Sequence, residues 1–260
     1  MTTYAANWYL EDGSVTVNAD NSGQTVTQGS TSTPDEAPVI TQRGSSAETS
    51  NTITINASEN ATANVTISNV NIDTSSAAIA TSGKGNVNIE LDGTNTLKSG
   101  RGHAGLEKSQ DGKLTITDEN ANGKLIATGG DYGAGIGGDD QGNGKNITIT
   151  GGEVTAAGGT NGAGIGGGLR KEGEKITVSG DATLKVQGGL TDEWDGAGAG
   201  IGNGGRHNGD TGSFIPVNGA ETEPDTSNLT TGKIEYYAPG ADMTKDEPTS
   251  TILGLSLIHI

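Results

Sequence analysis

The chain has 260 residues, 45 of them Gly, no Cys and eight aromatics, with 15 basic against 32 acidic side chains for a net charge of −17. Leu, Ile, Val and Phe together make up about one residue in six, a level at which low hydrophobicity with high net charge suggests disorder. The acidic balance argues against a nucleic-acid partner, whose phosphates need Lys and Arg; the lack of Cys excludes a disulfide scaffold or a thiolate metal site, and no apolar run is long enough to span a membrane.

Residues 1–38 hold Trp8, Tyr9, Val15, Val17 and a Ser/Thr/Pro patch, which predicts an N-terminal cap strand followed by a loop. From 39 to 215 the chain repeats itself. Gly133-Ala-Gly-Ile-Gly-Gly138 recurs as Gly162-Ala-Gly-Ile-Gly-Gly167 and Gly198-Ala-Gly-Ile-Gly-Asn203, with weaker copies at Ser76-Ala-Ala-Ile79 and His103-Ala-Gly-Leu106. The aliphatic markers stand at 79, 106, 136, 165 and 201, so the steps are 27, 30, 29 and 36 residues. Two further ladders share this spacing. One is Val65/Ile67, Val87/Ile89, Leu114/Ile116, Ile147/Ile149 and Ile176/Val178; the other is Val70/Ile72, Leu97, Leu125/Ala127, Val154/Ala156 and Leu184/Val186. Alternation of period two puts the aliphatics on one face and Thr, Asn or Lys on the other, and Gly-Gly, Asn-Gly and Asp-Gly pairs mark the turns.

Three short strands in about 29 residues, repeated in register, predict an all-β right-handed parallel β-helix, a solenoid in which one repeat forms one coil. Stacking like residues over like makes a small apolar count sufficient. Five marked coils, with Ile53/Ile55 before and Phe214-Ile215 after, predict six or seven coils and a rod of roughly 30 Å at the strand spacing. Residues 216–250 are acidic, carry Pro224, Pro239 and Pro248, and read as a linker or C-terminal cap with a strand at Lys233–Tyr237. Residues 251–260 are set aside: Leu253–Ile260 fits nothing before it and resembles a translated vector scar.

The two Gly-x-Gly-x-x-Gly stretches match a dinucleotide fingerprint literally, but a turn follows each where that motif needs a helix. Asp139-Asp140 and Asp192, Glu193 and Asp195 lie in flexible turns whose oxygens suit Ca²⁺. The metal candidates are therefore Asp139, Asp140, Asp192 and Asp195. By register, Asp131-Tyr132, Thr160-Asn161 and the insertion 192–195 should follow one another along one coil edge. An aromatic ring flanked by carboxylates and amides suits a sugar, so Asp131, Tyr132, Asn161, Asp192, Trp194 and Asp195 are the carbohydrate-binding candidates. His103, His207 and His259 form no metal-spaced set, and Arg101, Arg170 and Arg206 sit in separate turns. No catalytic residue is assigned.

Ile147-Thr-Ile-Thr-Gly-Gly-Glu-Val-Thr-Ala-Ala-Gly-Gly followed by Gly162-Ala-Gly-Ile-Gly-Gly-Gly168 resembles the repeats of large surface proteins of gut-dwelling Firmicutes. The stretch from Val65-Thr-Ile-Ser-Asn-Val-Asn-Ile to Leu91-Asp-Gly-Thr-Asn-Thr-Leu97 is similar to the clostridial carbohydrate-binding β-helix family, which shares the pectate-lyase type of fold. The resemblance covers roughly residues 40–205. It implies binding of acidic plant polysaccharide, with calcium, by a module of a secreted or cell-surface bacterial protein. The expectation is a monomeric, non-catalytic carbohydrate-binding or adhesive module of a larger protein. A calcium-dependent polysaccharide lyase and a purely structural stalk remain the alternatives, because a fold alone does not establish function. No signal peptide is legible at the N-terminus, as for an internal fragment.

Overall fold

The computed structural model describes residues 6–44, 47–109, 111–208 and 215–255. Its chain winds into a parallel β-solenoid of about six turns with a period of about 29 residues. Each coil visits three walls in a fixed order. In one coil these are Gly144–Ile149 on the first wall, Glu153–Ala157 on the second and Ile165–Gly166 on the third. Among the described residues the first and second walls each have seven strands and the third has nine. Successive coils pair parallel, so Ile136 lies over Ile165 and Ile165 over Ile201.

The aliphatic ladders point inward as the alternation requires, and Ile116, Ile149, Leu184 and Ile165 are fully buried. Each such side chain contributes about 1.5–3 kcal/mol, and stacking gives every one a like neighbour above and below. One rung differs from the expected alignment. Ile89 pairs with Val65 and Leu91 with Ile67, while Val87 pairs with Ala63. The first ladder is therefore offset by two residues at that step. Such an offset keeps every side chain on its face, so alternation alone does not detect it.

The third wall tapers. Its strands are Val15–Asp20, Ile53–Ala57, Ile79–Gly83 and Leu106–Lys108, and from Ile136–Gly137 onward only two residues. At the point of narrowing Lys108 takes the rung above Thr81, itself above Ile55, and is 5% exposed. Burial lowers its ammonium to about 8. The folded state thus disfavours the charged form relative to an unfolded lysine near 10.4. The penalty is complete below pH 8 and vanishes as pH rises past the unfolded value. Relative to Lys108→Met, the wild type should gain about 2 kcal/mol between pH 7.5 and 10.5, read by urea denaturation; parallel pH profiles would refute the assignment.

Both ends are closed. At the N-terminal end the first wall starts with Asn7–Tyr9, and the third wall continues into antiparallel Gly23–Gln28 and Thr31–Pro34. The expected loop is thus largely a hairpin strand pair. Trp8 Nε1 donates to buried Asp35 (2.9 Å). The Gln24 side chain donates to Asn64 O (3.0 Å) and accepts from Asn64 N (2.9 Å), taking the place of a missing strand. At the other end residues 219–230 cross the last coil, so this region is a cap and no linker. The Glu221 carboxylate accepts from Gly200 N (2.7 Å) and Ile201 N (3.0 Å), and Asp225 N donates to Ile176 O (2.8 Å). Paired edges of this kind block end-to-end strand addition.

The expected strand at Lys233–Tyr237 is present and extends the second wall in parallel, and Ser250–Leu253 joins it antiparallel. Residues 251–253 therefore belong to the fold, against the expectation that the tail is foreign to it; 256–260 lie outside the described residues. Ile215–Val217 pairs antiparallel with Arg206–Asn208 in a separate small sheet and adds no coil, and Phe214 is outside the described residues. Glu221→Ala removes two charge-assisted bonds to strand amides and should destabilise by about 2 kcal/mol. The amides of Gly200 and Ile201 should exchange faster with deuterium than those of Ile136; equal protection would show that the carboxylate does not close this edge.

Candidate functional site

The coil edge expected from the sequence exists. Turns between the second and third walls stack through Gly102 N→Asp131 O, Tyr132 N→Thr160 O and Asn161 N→Leu190 O, each 2.8 Å. Tyr132 and Asn161 share one rung with left-handed φ of 76° and 64°, a conformation Asn accepts more readily than most residues. Because the third wall is only two residues wide here, its far turns fold back onto this edge. Asp140 N donates to Gly102 O and Leu169 N to Tyr132 O.

The side chains of the six sugar candidates divide. Asn161 is fully buried and its Nδ2 donates to Asp195 O (3.0 Å) and Gly196 O (2.9 Å), pinning the insertion to the coil below. Asp195 is also buried. It accepts from Arg170 Nε (2.9 Å) and Nη2 (2.6 Å) and lies 3.0 Å from His207 Nδ1. Burial pushes this carboxyl up, but the Arg170 and His207 pairs outweigh it and hold it below its ordinary value. Neither Asn161 nor Asp195 can reach a sugar, so both are corrected to structural roles. Asp192 Oδ1 accepts from Trp194 N (2.8 Å) and Asp195 N (2.7 Å), shaping the same turn. Asp131 accepts from Thr160 Oγ1 (2.8 Å), the Tyr132 ring lies 5.0 Å from the Arg101 guanidinium, and Trp194 is 53% exposed. The edge therefore presents Asp131, Tyr132, Asp192 and Trp194 at the surface of the stacked turns.

The four calcium candidates are not gathered into one set. Asp195 is committed to Arg170 and Asp192 to backbone amides, while Asp139 Oδ1 accepts from Gln141 N (3.0 Å). Among the described residues no group of three or more His, Cys, Asp or Glu side chains is placed to hold a metal ion.

A concave site lies instead on the outer face of the second wall. A groove of about 640 Å³ crosses four strands. Its floor is two columns in register: Lys124, Glu153, Thr183 and Lys233; then Ile126, Thr155, Lys185 and Glu235. The loop 241–244 forms one bank. Lys185 Nζ donates to Met243 O (2.9 Å), and Gln187 Nε2 donates to Ala238 O (2.7 Å) and Ala241 O (2.8 Å), which fixes that loop on the wall. Its lining holds Lys124, Lys185 and Lys233 with Glu153, Glu235 and Asp242, and Lys124 pairs with Glu153 and Lys233 with Glu235 along the floor, so its charge balances within a chain of net −17. Ile126 and Met243 add apolar surface. Sequence reasoning missed the site. The available signal was Ile126, an aliphatic on the outward face where the alternation places polar residues.

No family model, curated protein or solved structure matches the chain. The functional reading therefore rests on this geometry. Among the described residues no helix is long and apolar enough to cross a membrane.

Proposed function

We propose that the protein is a non-catalytic carbohydrate-binding module of a secreted or cell-surface protein, holding a linear polysaccharide in the groove of the second wall. The observation that supports this is the groove's repeat. It offers a polar rung at the strand spacing of about 4.8 Å in each of four coils, so an extended polymer lying along the solenoid meets a hydrogen-bonding group at each step. Hydroxyl groups both donate and accept, and the rungs offer both: Lys as donor, Glu as acceptor, Thr as either. Ile126 and Met243 give the C–H faces of a sugar an apolar surface. Each contact is weak and the sum is avid only when several rungs are filled.

The test is a glycan array probed with the full chain, alongside Ile126→Arg and Trp194→Ala. Ile126 faces outward, so the Arg side chain obstructs the groove without entering the core. Binding weakened at least about tenfold by Ile126→Arg, the equivalent of one good contact, and unchanged by Trp194→Ala supports the groove. Loss in Trp194→Ala alone moves the site to the coil edge and overturns the placement. Silence across the array with circular dichroism intact overturns the function and leaves a structural stalk.

A further inference from the structure

A second concavity lies at the corner where the third wall turns into the first, in the last two coils. It has a volume of about 260 Å³ and is lined by Arg170, Lys171, Glu172, Arg206, Asn203 and Asn218. Backbone bonds fix its shape: Gly204 N→Lys171 O (3.0 Å), Arg170 N→Gly205 O (2.9 Å) and Asn203 N→Ala220 O (3.0 Å).

Most of the polar side-chain groups that line it offer donors. Asn203 uses its side-chain carbonyl to accept from Gly173 N (3.0 Å), and Asn218 uses its own to accept from Ala197 N (3.0 Å). Each amide therefore has only its NH₂ group to offer the cavity. The lining carboxylate Glu172 is paired with Lys145 Nζ (2.9 Å) from the coil below. Its charge is offset there, and the same contact holds its carboxyl below the ordinary value. Arg170 is tied to Asp195 through Nε and Nη2, which leaves Nη1 as a further donor. Lys171 and Arg206 have no carboxylate within 4.0 Å among the described residues, in a chain with 32 acidic side chains. Two cations that share one small concavity with no ion pair among the described residues repel each other, and an anion between them relieves this.

We propose that this corner is an oxyanion site, taking a compact carboxylate, sulfate or phosphate group through Arg206, Lys171 and the two amides. Guanidinium and oxyanion geometries match in a bidentate fashion, and the cavity volume of about 260 Å³ limits the site to small ligands. The site is on a different face from the groove and goes beyond the polysaccharide reading; neither depends on the other.

The experiment is calorimetric titration of the full chain with sodium sulfate, sodium phosphate and glucuronate at constant ionic strength set with NaCl. The variants are Lys171→Ala, Arg206→Ala, and Lys84→Ala as an exposed cation in a distant coil. The expected result is saturable binding of one equivalent. It should weaken at least about tenfold in Lys171→Ala and Arg206→Ala, the equivalent of one charge-assisted hydrogen bond, and stay unchanged in Lys84→Ala. Tighter binding of glucuronate than of the inorganic ions identifies an anion carried on a sugar; the reverse order identifies a free oxyanion, and both support the site. Heat that does not saturate, or equal binding in all variants, overturns it. Ile126→Arg should leave this titration unchanged, so the groove can fail without the anion site failing.

Discussion

Gly166→Ala should unfold the protein or remove at least about 3 kcal/mol of its stability, a loss in the range reserved for backbone strain and overpacking. Gly166 has φ of 141°, and a Cβ there would lie 2.0 Å from Gly202 O in the next coil. Gly137 and Gly202 hold nearly the same conformation, at 134° and 140°, below and above it. The obstruction is a Cβ against a backbone oxygen, so no side chain can rotate away. Relief would require parting two coils, which breaks the parallel pairing of Ile165 with Ile201. Gly29 supplies the comparison. It too has a positive φ, 58°, but a Cβ there meets nothing within 4 Å. Gly29→Ala should cost only about 1 kcal/mol, the intrinsic left-handed penalty. Urea midpoints of the two variants separate strain from packing. If Gly166→Ala costs no more than Gly29→Ala, the close stacking of the third wall is wrong.

That column of glycines explains why so much of the fold is legible in the sequence. Stacking in register makes each wall position recur, so Ile79, Leu106, Ile136, Ile165 and Ile201 are found by counting and then pair in the structure. The two-residue offset at Val65 and Ile89 was not legible, since it preserves the inward face of both strands. How the ends are closed was not legible, for a different reason. Glu221 and Gln24 close strand edges with side-chain atoms, and no periodicity marks a residue that replaces a strand. The candidate site fared similarly. Register correctly placed Tyr132 and Asn161 on one rung, but only the fold shows that Asn161 is turned inward to hold the insertion at 190–196. The second-wall groove sets a bank from residues 241–244 against Glu153 and Thr155 on its floor. Those segments lie far apart in the chain and outside any repeat step, so sequence spacing carries no trace of the contact.

Asp195→Ala should produce the second-largest loss, about 2–4 kcal/mol at pH 7. Removing one partner from a buried ion pair typically costs about 3–5 kcal/mol. The Arg170 side chain is 48% exposed, so water recovers part of its solvation and lowers the figure. The pH dependence identifies the cause. The carboxyl is held below its unfolded value, near 3.9, because the Arg170 and His207 contacts outweigh burial. A carboxyl depressed in the folded state adds stability that is complete above the unfolded value and is lost as pH falls through the folded one. The carboxylate's own contribution should therefore be complete above about pH 5, and the difference between wild type and Asp195→Ala should shrink below about pH 4. Asp195→Asn keeps the shape and the backbone carbonyl that accepts from Asn161 and Thr191, but lacks the charge. If Asp195→Asn restores full stability, the carboxylate acts through its shape alone. If it restores little, the charge holds the insertion. Trp194, one residue away, should then move with it, and its fluorescence should shift in step with the loss of stability across the same pH range.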